Sequence, residues 1–349
     1  MKVIYLTDIH DALRELRVLL STTEADLYLL SGDILYRAFY DEDKLYEFVC
    51  LQEDFWNLAR RLKVKIAPFD LATDILRFPE KYGEDNKADS HLEQKATDYR
   101  RLFEKAAKNM KEKYETIEEL IVKFSHAPAL VLPGNYDIDL RYTSLRDRDL
   151  HQQRREIRGL VLAGYGGAPI ATPGIPEKLA VVYHESQEEG RLYSEPQDFF
   201  EEIRPDILAI HNPAYGYFDR VPMFGHVGSL GIRNYLDQNA PALVVSGHVH
   251  EDYGVCLRNG SLLLNPSNFG GVDSPYGWQP GGVYAELQMD DRFVQNVGIM
   301  RLAEDRHFEL LRVSRIEDRL QGTVCTENAE YCHLDLSGFV RDASGAAIQ

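Results

Sequence analysis

The chain has 349 residues, of which 44% are hydrophobic and 27% charged; this is ordinary globular composition and excludes a largely disordered, collagen-like or low-complexity protein. With 39 Lys and Arg against 56 Asp and Glu the formal net charge is −17, and so acidic a surface repels a phosphate backbone and disfavours general nucleic-acid binding. No run reaches the roughly 18 consecutive apolar residues of a membrane span, the first ten residues turn polar too early for a secretory signal, and four scattered cysteines (Cys50, Cys256, Cys325 and Cys332) fit the reduced thiols of a cytoplasmic protein.

Residues 2–6 are a short apolar run that ends in Thr7, Asp8, Ile9 and His10. Residues 11–20 carry Leu13, Leu16 and Leu20 at helical spacing, and residues 27–30 form a second apolar run ending in Ser31, Gly32 and Asp33. Continuous apolar strands that alternate with a helix predict a sheet covered on both faces. Open α/β sheets place their ligands at the C-terminal strand ends, which is where these polar residues fall.

Residues 38–126 have a different texture. Charge density rises, and from Tyr99 the series Leu102, Phe103, Ala106, Met110, Ile117, Ile121 and Phe124 follows one helical face. This predicts a helix of about 25 residues, roughly 38 Å long, within a helical insertion laid over the core. Residues 79–90 read as a loop or mobile segment.

The strand pattern returns at residues 129–132, before Pro133-Gly134-Asn135-Tyr136-Asp137. It recurs at 160–163, at 207–210 before His211, at 243–245 before Gly247-His248-Val249-His250, and at 261–264 before Asn265. Residues 283–315 read as closing strands and the tail from 316 as polar with weak periodicity. The predicted organisation is a core over residues 1–300, interrupted by the insertion at 38–126, with a closing strand and C-terminal extension at 301–349.

Asp8 and His10, like His248 and His250, lie two apart; in extended segments such pairs point the same way and can converge on one ion. With Asp33, Asn135 and His211 they form a mixed nitrogen and oxygen donor set, which suits Mn, Fe, Zn or Co better than Ca or Mg. Seven groups exceed what one transition ion uses. They suffice for two if a carboxylate bridges, and Asp33 is the natural bridge. A glycine just before a ligand, as at Gly32, Gly134 and Gly247, lets the backbone approach closely. Each fragment alone is a weak signal, since a single His is more often a satisfied structural residue. The ordered set, each piece following an apolar run, carries the argument. Asn265 reads either as a support around the ligands or as a turn residue with Pro266.

This ordered set (TDIH, SGD, PGNYD, IHNP and SGHVH) resembles the calcineurin-like metallophosphoesterase superfamily. The stretches HNPAYGYFDR, GHVGS and SGHVHE are similar to its Icc-related prokaryotic phosphoesterases. The resemblance implies an α/β fold: a four-layer αββα sandwich of two mixed sheets, here with a helical insertion. It also implies one metal on Asp8, His10, Asp33 and His250 and a second on Asp33, Asn135, His211 and His248. Two ions about 3.5–4 Å apart lower the pKa of a bridging water and hold it in line with a phosphorus atom. They also offset charge developing on the phosphoryl oxygens.

One position departs from the superfamily pattern. Members read GNH followed by Asp or Glu, and this chain has Tyr136 in place of that His. The resemblance gives the His the task of protonating the leaving group or binding a phosphoryl oxygen. A phenol titrates near pH 10 and an imidazole near about 6.5, so Tyr136 donates a hydrogen bond at neutral pH but is the weaker acid. Asp137, which would orient that His, loses its partner. Tyr136, Asp137 and, as a compensating acid, His226 are therefore the candidate catalytic residues; the competing readings are that Tyr136 fills space beside the metals and that His226 holds its loop.

Similar members lacking the His are associated with phosphodiester cleavage. The expected function is a dinuclear phosphoesterase that uses two divalent transition-metal ions on a small phosphate ester, with a phosphodiester favoured over a monoester. Neither nucleic acid nor a membrane is an expected partner, and the composition is compatible with a homo-oligomer. Two alternatives stand beside this. One is a non-catalytic metal-binding interaction module on the same fold, motivated by the missing His and by the surface of the insertion. The other is a nuclease, which the acidic charge and the lack of a Lys/Arg stripe with interleaved aromatics disfavour.

Overall fold

In the computed structural model, which describes residues 1–83, 91–274 and 277–342, the apolar runs pair into two large sheets. Lys2–Thr7, Leu27–Ser31 and Ala129–Leu132 lie parallel to one another. Val283–Asp290 joins the first of these antiparallel, and Phe293–Ala303, Arg306–Ile316 and Arg319–Val324 extend the sheet as a meander. The second sheet has a parallel centre made of Leu160–Tyr165, Ile207–Ile210, Leu243–Val245 and Ser261–Asn265. Gln153–Ile157 and Gly254–Arg258 flank that centre antiparallel.

Strand side chains alternate between faces, and the two faces enter different cores. Val3, Tyr5, Leu27 and Leu29 point inward and pack against Leu162, Ile207, Leu243 and Leu264 of the facing sheet. Ile4, Leu6, Tyr28 and Leu30 point outward and are covered by Leu16, Leu19 and Leu20 of the helix Leu13–Thr22 and by Tyr114, Ile117 and Ile121 of the helix Leu92–Phe124. On the far side Leu208, Ile210, Val244 and Leu263 are covered by Phe200 and by Ile232, Tyr235 and Leu236, from the helices Glu195–Ile203 and Leu230–Gln238. The expected four-layer αββα sandwich of two mixed sheets is the observed fold. Among the described residues no helix is long and apolar enough to cross a membrane.

The insertion consists of the helices Glu42–Leu62, Pro68–Arg77 and Leu92–Phe124, with a short turn at Glu80–Gly83. That turn occupies part of the segment read as a loop; residues 84–90 lie outside the described residues. The long helix has 33 residues, more than the periodicity announced, because its first two turns bury only Ala96 before Tyr99. Phe48, Phe55, Leu71, Tyr99 and Met110 belong to the same buried cluster as Ile4 and Leu6. The insertion is thus an integral outer layer.

The boundary drawn at residue 300 needs correction. It falls inside the strand Phe293–Ala303; the sheet continues to Val324, and Val340–Arg341 pairs with Gly254–Arg258 in the second sheet. Arg319–Val324 is an edge strand that buries only Leu320, so it has no hydrophobic alternation to be read in the sequence.

Candidate metal centre

The parallel strands of both sheets end at one edge, and the loops that follow them carry the polar clusters. Asp8 follows Lys2–Thr7, Asp33 follows Leu27–Ser31, Asn135 follows Ala129–Leu132, His211 follows Ile207–Ile210, and His248 follows Leu243–Val245. The ligand atoms of Asp8, His10 and His250 lie within 4.8 Å of one another, and so do those of Asp33, His211 and His248. Asn135 Oδ1 lies 2.8 Å from His211 Nε2 and 2.7 Å from His248 Nδ1. Its amide nitrogen donates to Thr172 Oγ1 at 2.7 Å, which turns the oxygen toward the histidines.

Asp33 stands between the two groups. Its Oδ1 is 3.4 Å from His211 Nε2 and its Oδ2 is 3.7 Å from His10 Nε2. Asp8 Oδ1 is 3.4 Å from His250 Nε2. Asp8, Asp33 and His211 are almost wholly buried.

The backbone is held in an unfavourable shape to achieve this. Asp8, His10, Asp33 and His248 have φ of 54°, 48°, 40° and 70°, in the left-handed region. Such residues cost about 1–3 kcal/mol each and persist only where their surroundings over-determine them. Here the His10 amide donates to Asp33 O at 2.9 Å, and the His248 amide donates to the Asp8 carboxylate at 3.2 Å. Gly32 has φ +65°, and a Cβ there would lie 1.8 Å from His211 Nδ1. At Gly247 a Cβ would lie 1.9 Å from Thr7 Oγ1 and 2.4 Å from Asp8 Oδ2.

The donor chemistry fits metal. His10 Nε2 and His250 Nε2 are buried, face carboxylates and make no directional hydrogen bond among the described residues; buried polar atoms are rarely left so. Burial pushes the Asp33 carboxyl up, but His211 and His10 outweigh it and hold it well below the usual carboxylate range. Asp8 is lowered in the same way, burial being outweighed by His250 and then His211. Burial, and then the neighbouring His211, push His248 down to about 4, so its imidazole is neutral with a free lone pair at pH 7. His211 and His250 are raised, since Asp33 and Asp8 respectively outweigh their burial. A divalent cation in either group would take the place of those protons.

Tyr136 lies at the centre. Its amide donates to Asp33 Oδ1 at 2.8 Å, and its ring centroid is 6.1 Å from that of His10. Burial, then Asp33 and Tyr36, push its phenol up to about 12, so it stays protonated. Asp137 requires correction as a catalytic candidate. It has no exposed surface, and its oxygens accept from the amides of Gly134, Ile34 and Leu35 and from the Tyr114 hydroxyl. It anchors two ligand loops to the long helix and does not face the cleft.

His226 lies on a hairpin, Arg220–Val221 and Gly225–His226, with its side chain 44% exposed. Its Nδ1 is 2.6 Å from Oδ1 of the fully buried Asp219, whose Oδ2 accepts the Gly228 amide. Two bonds tie this segment to the chain that follows His211 and His250: Ser229 N to Pro213 O at 2.8 Å and Arg220 N to Asp252 Oδ2 at 2.9 Å. No hydrogen bond or ring contact joins His226 to the seven ligands among the described residues. Asn265 serves both of its expected roles: it donates to Val249 O and Asp252 O, holding the loop of His248 and His250, and accepts the Ser267 amide.

The sequence reading missed Tyr36, whose ring is 5.2 Å from that of His10. It also missed Asp11, Lys113 and Asp219. Tyr36 follows Asp33 by three residues, the only signal that places it here. Lys113 is buried, and its Nζ donates to Asp11 Oδ2 and Arg37 O, both at 2.7 Å.

No family model and no curated protein matches the chain. One solved crystal structure superposes with a TM-score of 0.50 at 16% identity, covering 86% of this chain and 99% of its own. Vps29 from Entamoeba histolytica complexed with zinc matches at 10% identity and TM-score 0.36, covering 93% of this chain and 99% of its own. A predicted phosphoesterase from Streptococcus pneumoniae matches at 11% identity and TM-score 0.32, covering 93% and 97%. Likeness at such identity concerns the fold.

Proposed function

We propose that the chain is a phosphoesterase that holds two divalent ions and hydrolyses a small phosphodiester. One observation carries the reading: Asp33 directs one carboxylate oxygen at each donor group, toward His211 and toward His10. Asp8, His10, Asp33 and His250 would hold one ion, and Asp33, Asn135, His211 and His248 the other. The mixed donor set points to Mn, Fe, Zn or Co. Such a pair supplies Lewis-acid charge and lowers the pKa of a water shared between its members.

The protein's own groups do the rest. Thr172 orients the Asn135 amide, the Tyr136 amide holds Asp33 Oδ1, and Asp137 fixes the loops of Asp33 and Asn135. In this reading His226 gives a proton to the leaving oxygen, and Asp219, bonded at Nδ1, keeps Nε2 facing outward. Local cationic charge at the centre admits one phosphate ester, while the net charge of −17 repels a polyanion.

The test is a metal count by mass spectrometry followed by a panel of mono- and diesters assayed with Mn. Two ions per chain, diester turnover, and loss of both from Asp33→Asn are expected. Full-rate hydrolysis by metal-free protein, or an Asp33→Asn variant that keeps both ions, overturns the proposal. Bound metal without turnover on any ester returns the chain to a metal-binding interaction module.

A further inference from the structure

Two phenols stand at the centre without belonging to either donor group. Tyr36 and Tyr136 leave the loops that carry Asp33 and Asn135. Their ring centroids are 6.1 Å apart with the planes at 29°, and both rings lie against His10. Each is half-buried, and neither hydroxyl has a hydrogen-bond partner among the described residues.

Both rings are fixed in place. The Tyr36 amide donates to Asp11 Oδ2 at 3.3 Å, and Asp11 is bound by Lys113 of the insertion, which also takes the carbonyl of Arg37. The Arg37 guanidinium lies 4.9 Å from the Tyr36 ring centroid. Tyr136 is held through its amide to Asp33. Neither hydroxyl oxygen is among the buried polar atoms that lack a partner, so each O–H reaches open space beside the donor groups, where a ligand oxygen can accept its proton.

We infer that Tyr36 and Tyr136 are substrate-binding residues, a pair of neutral O–H donors that hold a non-bridging oxygen of a phosphodiester at the metal centre. The inference rests on the function proposed above and names residues that would bind the substrate of that site. Two phenols satisfy an oxygen without adding charge, which matches the single negative charge of a diester. The second charge of a monoester would call for a cation, and the guanidinium beside them is stacked on Tyr36 and lies 3.6 Å from Glu42. In the hydrolysis a water oxygen bonds to phosphorus, one ester P–O bond breaks and one proton of the water ends on the leaving oxygen, so that a phosphate monoester and an alcohol depart; the two phenols give up no proton.

The experiment uses the full chain loaded with Mn, as wild type, Tyr36→Phe, Tyr136→Phe and the double variant. Metals per chain, affinity for inorganic phosphate by calorimetry, and kcat/KM on bis(p-nitrophenyl) phosphate and p-nitrophenyl phosphate are measured. In wild type the diester is expected to exceed the monoester in kcat/KM by at least about tenfold. Each Phe variant keeps its metals, binds phosphate about tenfold more weakly and loses a similar factor in diester kcat/KM, the usual size of a lost hydrogen bond to a charged acceptor. A tyrosine ultraviolet difference spectrum of wild type on adding phosphate is also expected, and needs no variant to fold. Phe variants within twofold of wild type in affinity and kcat/KM overturn the inference; so does loss of metal from them, an absent difference spectrum or a monoester preference. Failure of the parent function reads differently: wild type turns over neither ester, while phosphate binding still reports on the pair.

Discussion

Lys113 connects the insertion to the centre, and its removal is a quantitative test of that connection. The ammonium is almost wholly buried, donates to Asp11 Oδ2 and Arg37 O, and sits 4.4 Å from the Tyr40 ring centroid. Asp11 Oδ1 has no partner among the described residues, so Lys113→Met leaves a carboxylate only 14% exposed and supported by little beyond the Tyr36 amide. Breaking a buried pair by removing one partner costs about 3–5 kcal/mol, whereas replacing both partners is often near neutral. Urea unfolding should therefore show Lys113→Met destabilised by about 3 kcal/mol, and the double variant Asp11→Asn/Lys113→Met should recover at least half of this as a coupling energy. Because Asp11 follows His10 and binds the Tyr36 amide, diester kcat/KM should fall in Lys113→Met while the metal count stays near wild type. A single variant within about 1 kcal/mol of wild type, or a double variant with purely additive losses, would refute the view that the insertion braces the ligand loop through this pair.

Three further outcomes follow from the structure. Gly32→Ala places a Cβ on the His211 ring at a left-handed φ, so the variant should lose metal and melt well below wild type; metal content near wild type would show that the loop relaxes freely. His226→Gln and Asp219→Asn should slow alkyl diesters by roughly 10²-fold and nitrophenyl esters far less, because only a poor leaving group needs the proton; equal losses on both would argue for a structural dyad. Asp149 is pushed up to about 7, by burial first and then by Asp139. The folded state therefore holds a proton that the unfolded state has released, and this contribution to stability is complete below about pH 4 and lost as pH rises through about 7. Asp149→Asn keeps an acceptor for the His151 amide, so it should be the more stable protein at pH 8, by at most about 4 kcal/mol at about 1.4 kcal/mol per unit, with little difference near pH 4; a parallel pH dependence of both proteins in urea titrations would exclude this.

The strand runs that precede Asp8, Asp33, Asn135, His211 and His248 were legible because strands buried on both faces read as unbroken apolar segments, and the residues after them were exceptions to that rule. Tyr36, Lys113 and Asp219 carried no such mark. Each is an ordinary residue type in an ordinary setting; Tyr36 and Lys113 reach the centre through contacts with residues distant in the chain, 102 positions away for Lys113 and Asp11, and Asp219 matters only through the ring of His226. Asp137 shows the converse. The motif makes it a candidate for chemistry, and the fold surrounds its carboxylate with three amides and a phenol.

Local periodicity and strand-end chemistry are properties of neighbouring residues, so the amino-acid order alone determined the α/β layering, the ligand-bearing loops and the helical character of the insertion at residues 38–126 outside its segment 79–90. Which side chains face one another across those loops is a matter of how the layers pack. Only the tertiary structure decided that Asp33 stands between two groups of donors, that the insertion shares the core and braces Asp11, and that the phenols of Tyr36 and Tyr136 lie beside His10, because burial and hydrogen bonding are set by residues distant in the chain.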